Sequence, residues 1–226
     1  MEIRELEDLR DLAVVEDLQR EVWGMSDLDI VNRHVLRVAL EIGGVLLGAF
    51  DGGAMVGFSS GFAGYRNGHR EVHSDMLAIK DGYRDKGVGY QLKMAQRERV
   101  LAMGVDRITW TFDPLRSRNA HFNFRKLGVI CDEYRVNFYG ESTSSFLHAI
   151  GTDRLWVTWL LNQPKPSGGD QAFVEIPRDI DALPTAEQWH WRERTRAQFQ
   201  DLIAAGYVVT DYDGSTGRYT LERQTL

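Results

Sequence analysis

A mixed α/β architecture follows from three features of this 226-residue chain. Short runs rich in β-branched and aromatic residues, such as VLLGAF at 45–50 and RITWTF at 107–112, have the length and composition of buried strands. Between them lie segments whose apolar residues recur at steps of three and four and which stop at glycine, as amphipathic helices do. Asp-Gly and Asn-Gly pairs at 51–52 and 67–68 separate strand-like runs and read as hairpin turns. The sum is a mixed sheet with helices on both faces, followed by a small β-α-β-β extension.

Each element has its own signal. Ile3–Leu6 reads as a short opening strand. Asp11, Val15, Leu18 and Val22 then step by four, three and four, and Gly24 stops that helix. A second helix is expected over about Asp29–Ile42, with Val31, Val35 and Val38 on one face and Gly43-Gly44 at its end. Val45–Phe50 is a buried strand, Ala54–Ala63 its hairpin partner, and Glu71–Ile79 a further strand. After the turn at Asp81-Gly82 the period changes. Gly87–Met103 is helical, with Val88, Leu92, Ala95 and Ala102 sharing a face and Gly104 closing it. Arg107–Phe112 is the next strand, broken by Pro114. Ser117–Leu127 forms a short helix ended by Gly128, and Val129–Tyr139 and Arg154–Leu161 are strands. Pro164, Pro166, Ser167, Gly168 and Gly169 make the clearest linker. It divides the chain into residues 1–162 and an extension, 163–226. In the extension Ala172–Ile176 is a strand. A helix opens at Thr185, which forms a capping box with Gln188, and ends at Gly206. Tyr207–Asp211 and Arg218–Leu221 pair as a hairpin.

Composition narrows the function classes. Lys plus Arg is 27 against 33 Asp plus Glu, a net charge of −6 with no long basic tract, which argues against general nucleic-acid binding. The single cysteine, Cys131, excludes an intrachain disulfide and a four-cysteine zinc site, and reads as a small buried hydrophobe. MEIRELEDLRDL lacks the apolar core of a signal peptide. The longest apolar runs fall far short of the ~20 residues a spanning helix needs. The expectation is a cytoplasmic protein that binds no membrane, nucleic acid or metal.

The chemistry concentrates in LAIKDGYRDKGVGYQLKMAQRERVLAM, residues 77–103. A strand runs into a turn with two glycines and then directly into a helix. First-turn N–H groups of a helix have no intrahelical acceptor and carry the positive end of its dipole. Gly87 and Gly89 admit a ligand close to that backbone, and Arg84 and Lys86 stand at the mouth. Lys80–Arg99 holds six basic and three acidic residues, a local charge of +3. A Walker loop would need Lys-Ser or Lys-Thr where Val88-Gly89 stands, and a dinucleotide fingerprint would need a third glycine. Arg84-Asp85-Lys86-Gly87-Val88-Gly89 instead resembles the Gln/Arg-x-x-Gly-x-Gly/Ala loop of the GNAT superfamily of N-acetyltransferases. The strand before it, the long helix after it, RITWTF, and Asn119-Ala120 with Lys126-Leu127-Gly128 also match, over roughly residues 1–162.

The resemblance implies a GNAT-like, mostly antiparallel sheet and an acyl-CoA donor, acetyl-CoA or another, transferring its acyl group to a small-molecule amine. By the resemblance, Leu77, Ala78 and Ile79 hold the pantetheine arm and acyl carbonyl. The N–H groups around Asp85–Gly89 take the pyrophosphate, and Asn119 contacts CoA. A fixed N–H donor suits the oxyanion that develops on such a carbonyl. The acceptor must be neutral, so a base is expected. The family's glutamate position falls on His73. Strand alternation puts His73, Asp75 and Leu77 on one face, where Asp75 could orient the imidazole or itself serve as the base. The other reading of His73 is a packed strand residue. The family's second-motif tyrosine, which protonates the departing thiolate, is here Phe124, which cannot donate. Water, Tyr134 or Tyr139 is left for that role. Arg116, Arg118 and Arg135 read either as clamps for a substrate carboxylate or as a solvated basic edge.

The branch this chain resembles most shares its WTFDPL…RNA signature, which implies a preference for an amino-acid acceptor and a succinyl donor as a second option. Because Phe124 replaces the tyrosine, a CoA-binding regulatory domain without catalysis is the alternative. Trp110, Trp156 and Trp159 are expected in a core or interface. Trp189, Trp191 and Phe199 are expected to dock the extension, on this domain or across a homodimer. Gly57-Phe58-Ser59-Ser60-Gly61 matches a serine-hydrolase elbow in letters only, since no helical segment follows Ser59.

Overall fold

The computed structural model describes residues 1–140, 150–166 and 168–223. Ser167 of the expected linker lies outside them. The chain forms two compact units, Met1–Thr109 and Trp110–Leu226. The expected boundary at 162/163 therefore falls inside the second unit.

The first unit contains β1 (Glu2–Glu5), α1 (Leu9–Trp23), α2 (Arg33–Glu41), β2 (Val45–Asp51), β3 (Ala54–Arg66), β4 (His69–Ile79) and α3 (Val88–Ala102). Strand β5 (Arg107–Phe112) starts in it. β1 to β4 are antiparallel neighbours in chain order, and β5 joins β4 in parallel. Both predicted hairpin turns carry left-handed residues, Gly52 and Gly53 at φ 56° and 85° and Asn67 and Gly68 at 49° and 82°. That backbone matches the strand twist, and Asn-Gly and Gly-Gly adopt it readily.

The helix ends follow the sequence signals closely. Asp8 caps α1 through the Arg10 N–H at 2.8 Å, and Gly24 ends it at φ 63°. α2 starts at Arg33, later than the expected Asp29, because Asn32 caps it by accepting from His34 and Val35 at 3.1 Å each. The connection before it is tied to α1: buried Glu16 accepts from the Arg33 N–H at 2.6 Å, and Gln19 brackets Val31 at 2.7 and 3.0 Å. Leu36 and Ala39 are the buried face of α2, whereas Val35 and Val38 are exposed. The expected valine face is thus corrected. Shifting the helix start did not change the period, but Leu36 and Leu40 form an equally regular stripe, and that one meets the sheet.

Two layers cover this sheet. Leu12, Val15 and Leu18 of α1 and Leu36 of α2 pack with Leu46, Phe50, Phe58, Met76 and Ala78 in one apolar cluster. Burying a side chain of this size contributes about 1.5–3 kcal/mol. On the opposite face lies α3, where a Cβ on its Gly89 would touch Leu77 and Ile79 of β4.

The second unit contains α4 (Ser117–Ala120) with a π-helical continuation (His121–Leu127), β6 (Ile130–Arg135), β7 (Arg154–Leu160), β8 (Gln171–Glu175), α5 (Thr185–Ala204), β9 (Tyr207–Asp213) and β10 (Arg218–Arg223). Its strand order is β7-β6-β9-β10-β8, all antiparallel. β9 pairs directly with β6 through Cys131 and Val209, so residues beyond the linker continue this sheet. Cys131 and Phe199 are fully buried, and Trp110 and Trp159 meet edge-on at 6.3 Å. Trp189 is exposed, so Phe199 rather than Trp189 anchors α5. The expected capping box is not formed. Pro184 precedes α5 without a side-chain cap, and the Gln188 amide donates to the Leu183 carbonyl at 2.8 Å. Among the described residues no helix is long and apolar enough to cross a membrane.

Candidate active site

In the first unit the site is built on β4 and the loop after it. The β4–β5 ladder pairs Val72 with Ile108 and His73 with Thr109. Beyond His73, residues 74–79 pair with β3 alone among the described residues. A strand segment laddered on one side presents the other row of N–H and C=O groups to a ligand. Leu77, Ala78 and Ile79, the expected pantetheine positions, lie in this segment.

A bulge divides β4. Ser60 pairs with Met76 but Gly61 pairs with Ser74, so Asp75 is the extra residue. Alternation is reset there. Ser74 accepts from Lys93 of α3 and therefore faces α3, while Met76 and Ala78 join the α1–α2 cluster. Leu77 and Ile79 face α3. His73, one residue before Ser74, lies on the face opposite α3. The expected shared face of His73, Asp75 and Leu77 is therefore corrected: His73 and Leu77 lie on opposite faces, and Asp75 sits exposed in the bulge.

A different group holds the imidazole. His73 Nδ1 lies 3.0 Å from Thr109 Oγ1, and that hydroxyl donates to Glu71 Oε1 at 3.1 Å. Thr109 and Glu71 are buried. Burial, then the charges of Lys93 and Arg66, lowers the His73 pKa to about 4, so the ring is neutral at pH 7. Lys93 is itself buried, donates to Ser74 at 2.8 Å and Gln96 at 3.1 Å, and has its pKa lowered to about 7 by burial. The sequence reading missed Glu71, Thr109 and Lys93. Only the i, i+2 spacing of Glu71 and His73 was visible as a signal.

Two titrations follow. The unfolded chain takes up a proton at the His73 position near pH 6.5, whereas the folded chain refuses it until about pH 4. This contribution to stability is intact above pH 6.5 and falls by roughly 3 kcal/mol as pH drops to about 4. Urea midpoints across that window measure it. Lys93→Met removes a cation acting on the ring, so the His73 pKa should rise in an NMR titration while burial keeps it below 6.5.

The loop closes the site. A 3-10 turn at Asp81–Tyr83 leads to Asp85 at φ 62° and Gly87 at φ 80°, after which Val88 opens α3. Gly87 gives no side-chain cap, and the first helical bond is Gln91 N–H to Gly87 O at 3.0 Å. The N–H groups of Val88, Gly89 and Tyr90 thus precede any intrahelical acceptor and face outward with the positive end of the dipole. Few of the six basic residues supply charge at this mouth. Lys93 is buried, and Lys80, Arg84 and Arg99 pair with Glu21, Asp81 and Glu5. Lys86 sits over the Tyr83 ring at 5.3 Å. The positive character of this helix start therefore comes from its backbone more than from side-chain charge.

The two glycines differ in kind. Gly87 has positive φ with open space where a Cβ would go, while a Cβ on Gly89 would make ordinary contact with Leu77 at 3.6 Å. Gly87→Ala carries about 1–2 kcal/mol of backbone strain and should raise the KM for an acyl-CoA roughly tenfold. Gly89→Ala should leave it near wild type. Steady-state kinetics on both variants separates these outcomes.

In the second unit, Asn119 and Arg118 are exposed in α4. Arg116 is engaged by Asp113 at 3.7 Å and by Asp181, and Arg135 pairs with Glu133. Phe124 is fully buried, packed edge-on against Phe112 and Tyr219 at 6.1 and 5.7 Å. Tyr134 is also buried, donates to Asp153 at 2.7 Å, and has its hydroxyl pKa pushed far up by burial. Tyr139 is exposed and shares a hydrogen bond with Thr111 Oγ1 at 2.8 Å. Of the two tyrosines, Tyr139 is the one exposed to solvent. Ser59 is buried in the middle of β3, opposite Leu77, which removes the hydrolase elbow.

A family model described as acetyltransferase (GNAT) family matches residues 6–129. The chain belongs to the GNAT acetyltransferase family. Solved structures share its fold. An aminoglycoside 6'-acetyltransferase type Ii aligns with a TM-score of 0.57 at 20% identity, over 74% of this chain and 100% of its own. An acetyltransferase of Salmonella typhimurium, solved with its cofactor acetyl-CoA, aligns at 0.55 and 16% identity, over 74% and 98%. An aminoglycoside 6'-N-acetyltransferase complexed with coenzyme A aligns at 0.54 and 18%, over 74% and 100%. No curated protein matches the chain. As a GNAT acetyltransferase the chain is an enzyme of acyl transfer.

Proposed function

We propose that this enzyme transfers an acetyl group from acetyl-CoA to the amine of a small molecule, with an amino acid as preferred acceptor and succinyl-CoA as a second donor. The observation that carries the reading is the uncapped N-terminus of α3, reached through Gly87 at the end of a β4 segment laddered on one side only. Relatives in this fold solved with acetyl-CoA or CoA support the donor class. The donor supplies a thioester carbonyl activated toward attack. The protein's own residues do the rest. N–H groups of Val88–Tyr90 bind the pyrophosphate, aided by Arg84 and Lys86, and Asn119 contributes a side-chain contact. Backbone of Leu77–Ile79 orients the pantetheine arm and offers a donor to the carbonyl oxygen. His73 takes the proton of the attacking amine as the C–N bond forms and the C–S bond breaks. Tyr139 returns a proton to the departing sulfur.

The amino-acid preference rests on arginine. Arg118 and Arg135 are exposed and Arg116 is half-buried, and a substrate carboxylate would compete with Asp113 and Asp181 for Arg116 and with Glu133 for Arg135. Thiol release from acetyl- and succinyl-CoA with a panel of amino acids and their decarboxylated analogues tests this. Equal rates with both sets would remove the carboxylate preference.

Buried Phe124 favours a second reading, a CoA-binding module without turnover. It predicts CoA binding with no amine-dependent thiol release. Loss of turnover in Tyr139→Phe with retained CoA binding would instead place the acid on Tyr139.

A further inference from the structure

We propose that Thr109 and Glu71 are positioning residues that fix His73 in a single tautomer, with the proton on Nδ1 and the basic lone pair on Nε2. This rests on the reading of His73 as the base.

Protons can be counted along a chain of three side chains within the first unit. A threonine hydroxyl has one proton to give and lone pairs to accept with. The Thr109 hydroxyl gives its proton to Glu71 Oε1 at 3.1 Å. At 3.0 Å from His73 Nδ1 it can therefore only accept, so Nδ1 must carry the hydrogen. A neutral ring protonated at Nδ1 has its lone pair on Nε2. Burial of Thr109 and Glu71 makes this polarity stringent, because neither can turn to water for an alternative partner. Strand geometry supplies the arrangement. Glu71 and His73 are two apart on β4 before the bulge and share a face, and Thr109 is the β5 residue in register with His73. The ring is thus anchored at the last position of β4 laddered to β5, beside the segment paired on one side only.

The chain keeps the same hydrogen-bond polarity through proton transfer. When Nε2 takes the amine's proton, Nδ1–H remains donated to Thr109, and the Glu71 carboxylate lies one hydroxyl away from the new imidazolium. The proton is then given up to solvent, restoring the neutral ring. A base with the wrong tautomer presents an N–H to the amine and cannot accept.

The test is a long-range 1H–15N correlation spectrum of the full chain at pH 7, with His73 assigned by its loss in His73→Ala. The wild type should show the Nδ1–H form. Thr109→Val, which keeps the shape and removes the hydroxyl, should shift the ring toward Nε2–H and lower kcat roughly 10–100-fold, with the KM for acetyl-CoA unchanged. Thr109→Ser should restore both tautomer and rate, which a merely structural role for the methyl group would not do. An Nε2–H ring in the wild type overturns the proposal. So does a Thr109→Val enzyme that keeps its rate while His73→Ala loses it, an outcome that leaves His73 as the base. Full activity in His73→Ala removes the base itself, and the positioning role with it.

Discussion

Replacing His73 by alanine should lower kcat for amine-dependent release of CoA about 100-fold, with the KM for acetyl-CoA nearly unchanged. A positioned base contributes roughly 10²–10⁴-fold, and its efficiency depends on a pKa near the working pH. Burial and the Lys93 and Arg66 charges hold His73 near 4, which places it at the lower end of that range. The unchanged KM follows from location. His73 precedes the segment 74–79 that is laddered by β3 alone, and lies on the face opposite the Leu77 and Ile79 side chains. The same pKa predicts that the wild-type rate profile shows no His73 inflection between pH 5 and 9. A limb in that window should follow the pKa of the acceptor amine instead, and changing the amine should move it.

Asp113→Ala should destabilise the second unit by about 3–5 kcal/mol, the cost of leaving a buried charge without its partner. Arg192 of α5 is fully buried, and its guanidinium meets Asp113 at 2.8 Å and the Ile150 carbonyl at 3.1 Å. Removing the carboxylate strands the cation where water cannot reach it. The reverse change, Arg192→Met, should cost less. It takes the buried charge away, and Asp113 still has the Leu115 N–H at 2.9 Å and Arg116 at 3.7 Å. Urea unfolding of the two variants should therefore rank them with Asp113→Ala the less stable. Equal midpoints would mean that the pair contributes little beyond packing. The pair also explains why the residues beyond the linker belong to the second unit: α5 is fixed there by Arg192, by Arg196 on Asp153 at 2.8 Å, and by buried Phe199.

Much of the architecture was legible because its signals are local. Hairpin turns at 51–53 and 67–68, the glycine that ends α1, and the strand-loop-helix at 77–103 depend on residues within a few positions of one another. What sequence could not supply was register. The bulge at Asp75 has no sequence signal of its own in letters that run polar over 73–75 and apolar over 76–79, yet it moves His73 to the face opposite Leu77. Thr109 becomes the partner of His73 only through a parallel ladder that joins residues far apart in the chain. Lys93 and Gln96 occupy the buried face of α3 where Ala95 and Ala102 were expected, because the polar side chains find partners in Ser74 and in each other. The capping box failed for a related reason: Pro184 already fixes the entry to α5, and Gln188 is used on Leu183.

If the loop at 84–89 and the one-sided stretch of β4 hold an acyl-CoA for transfer to an amine, as proposed, binding and turnover must both report it. The most direct measurement is thiol release from acetyl-CoA by the full chain, with acceptor amine varied and CoA binding followed by calorimetry. CoA binding should weaken in Gly87→Ala, and thiol release should rise with amine concentration, one thiol per amine acylated. Absence of CoA binding, or binding without amine-dependent release across the panel, would contradict that reading.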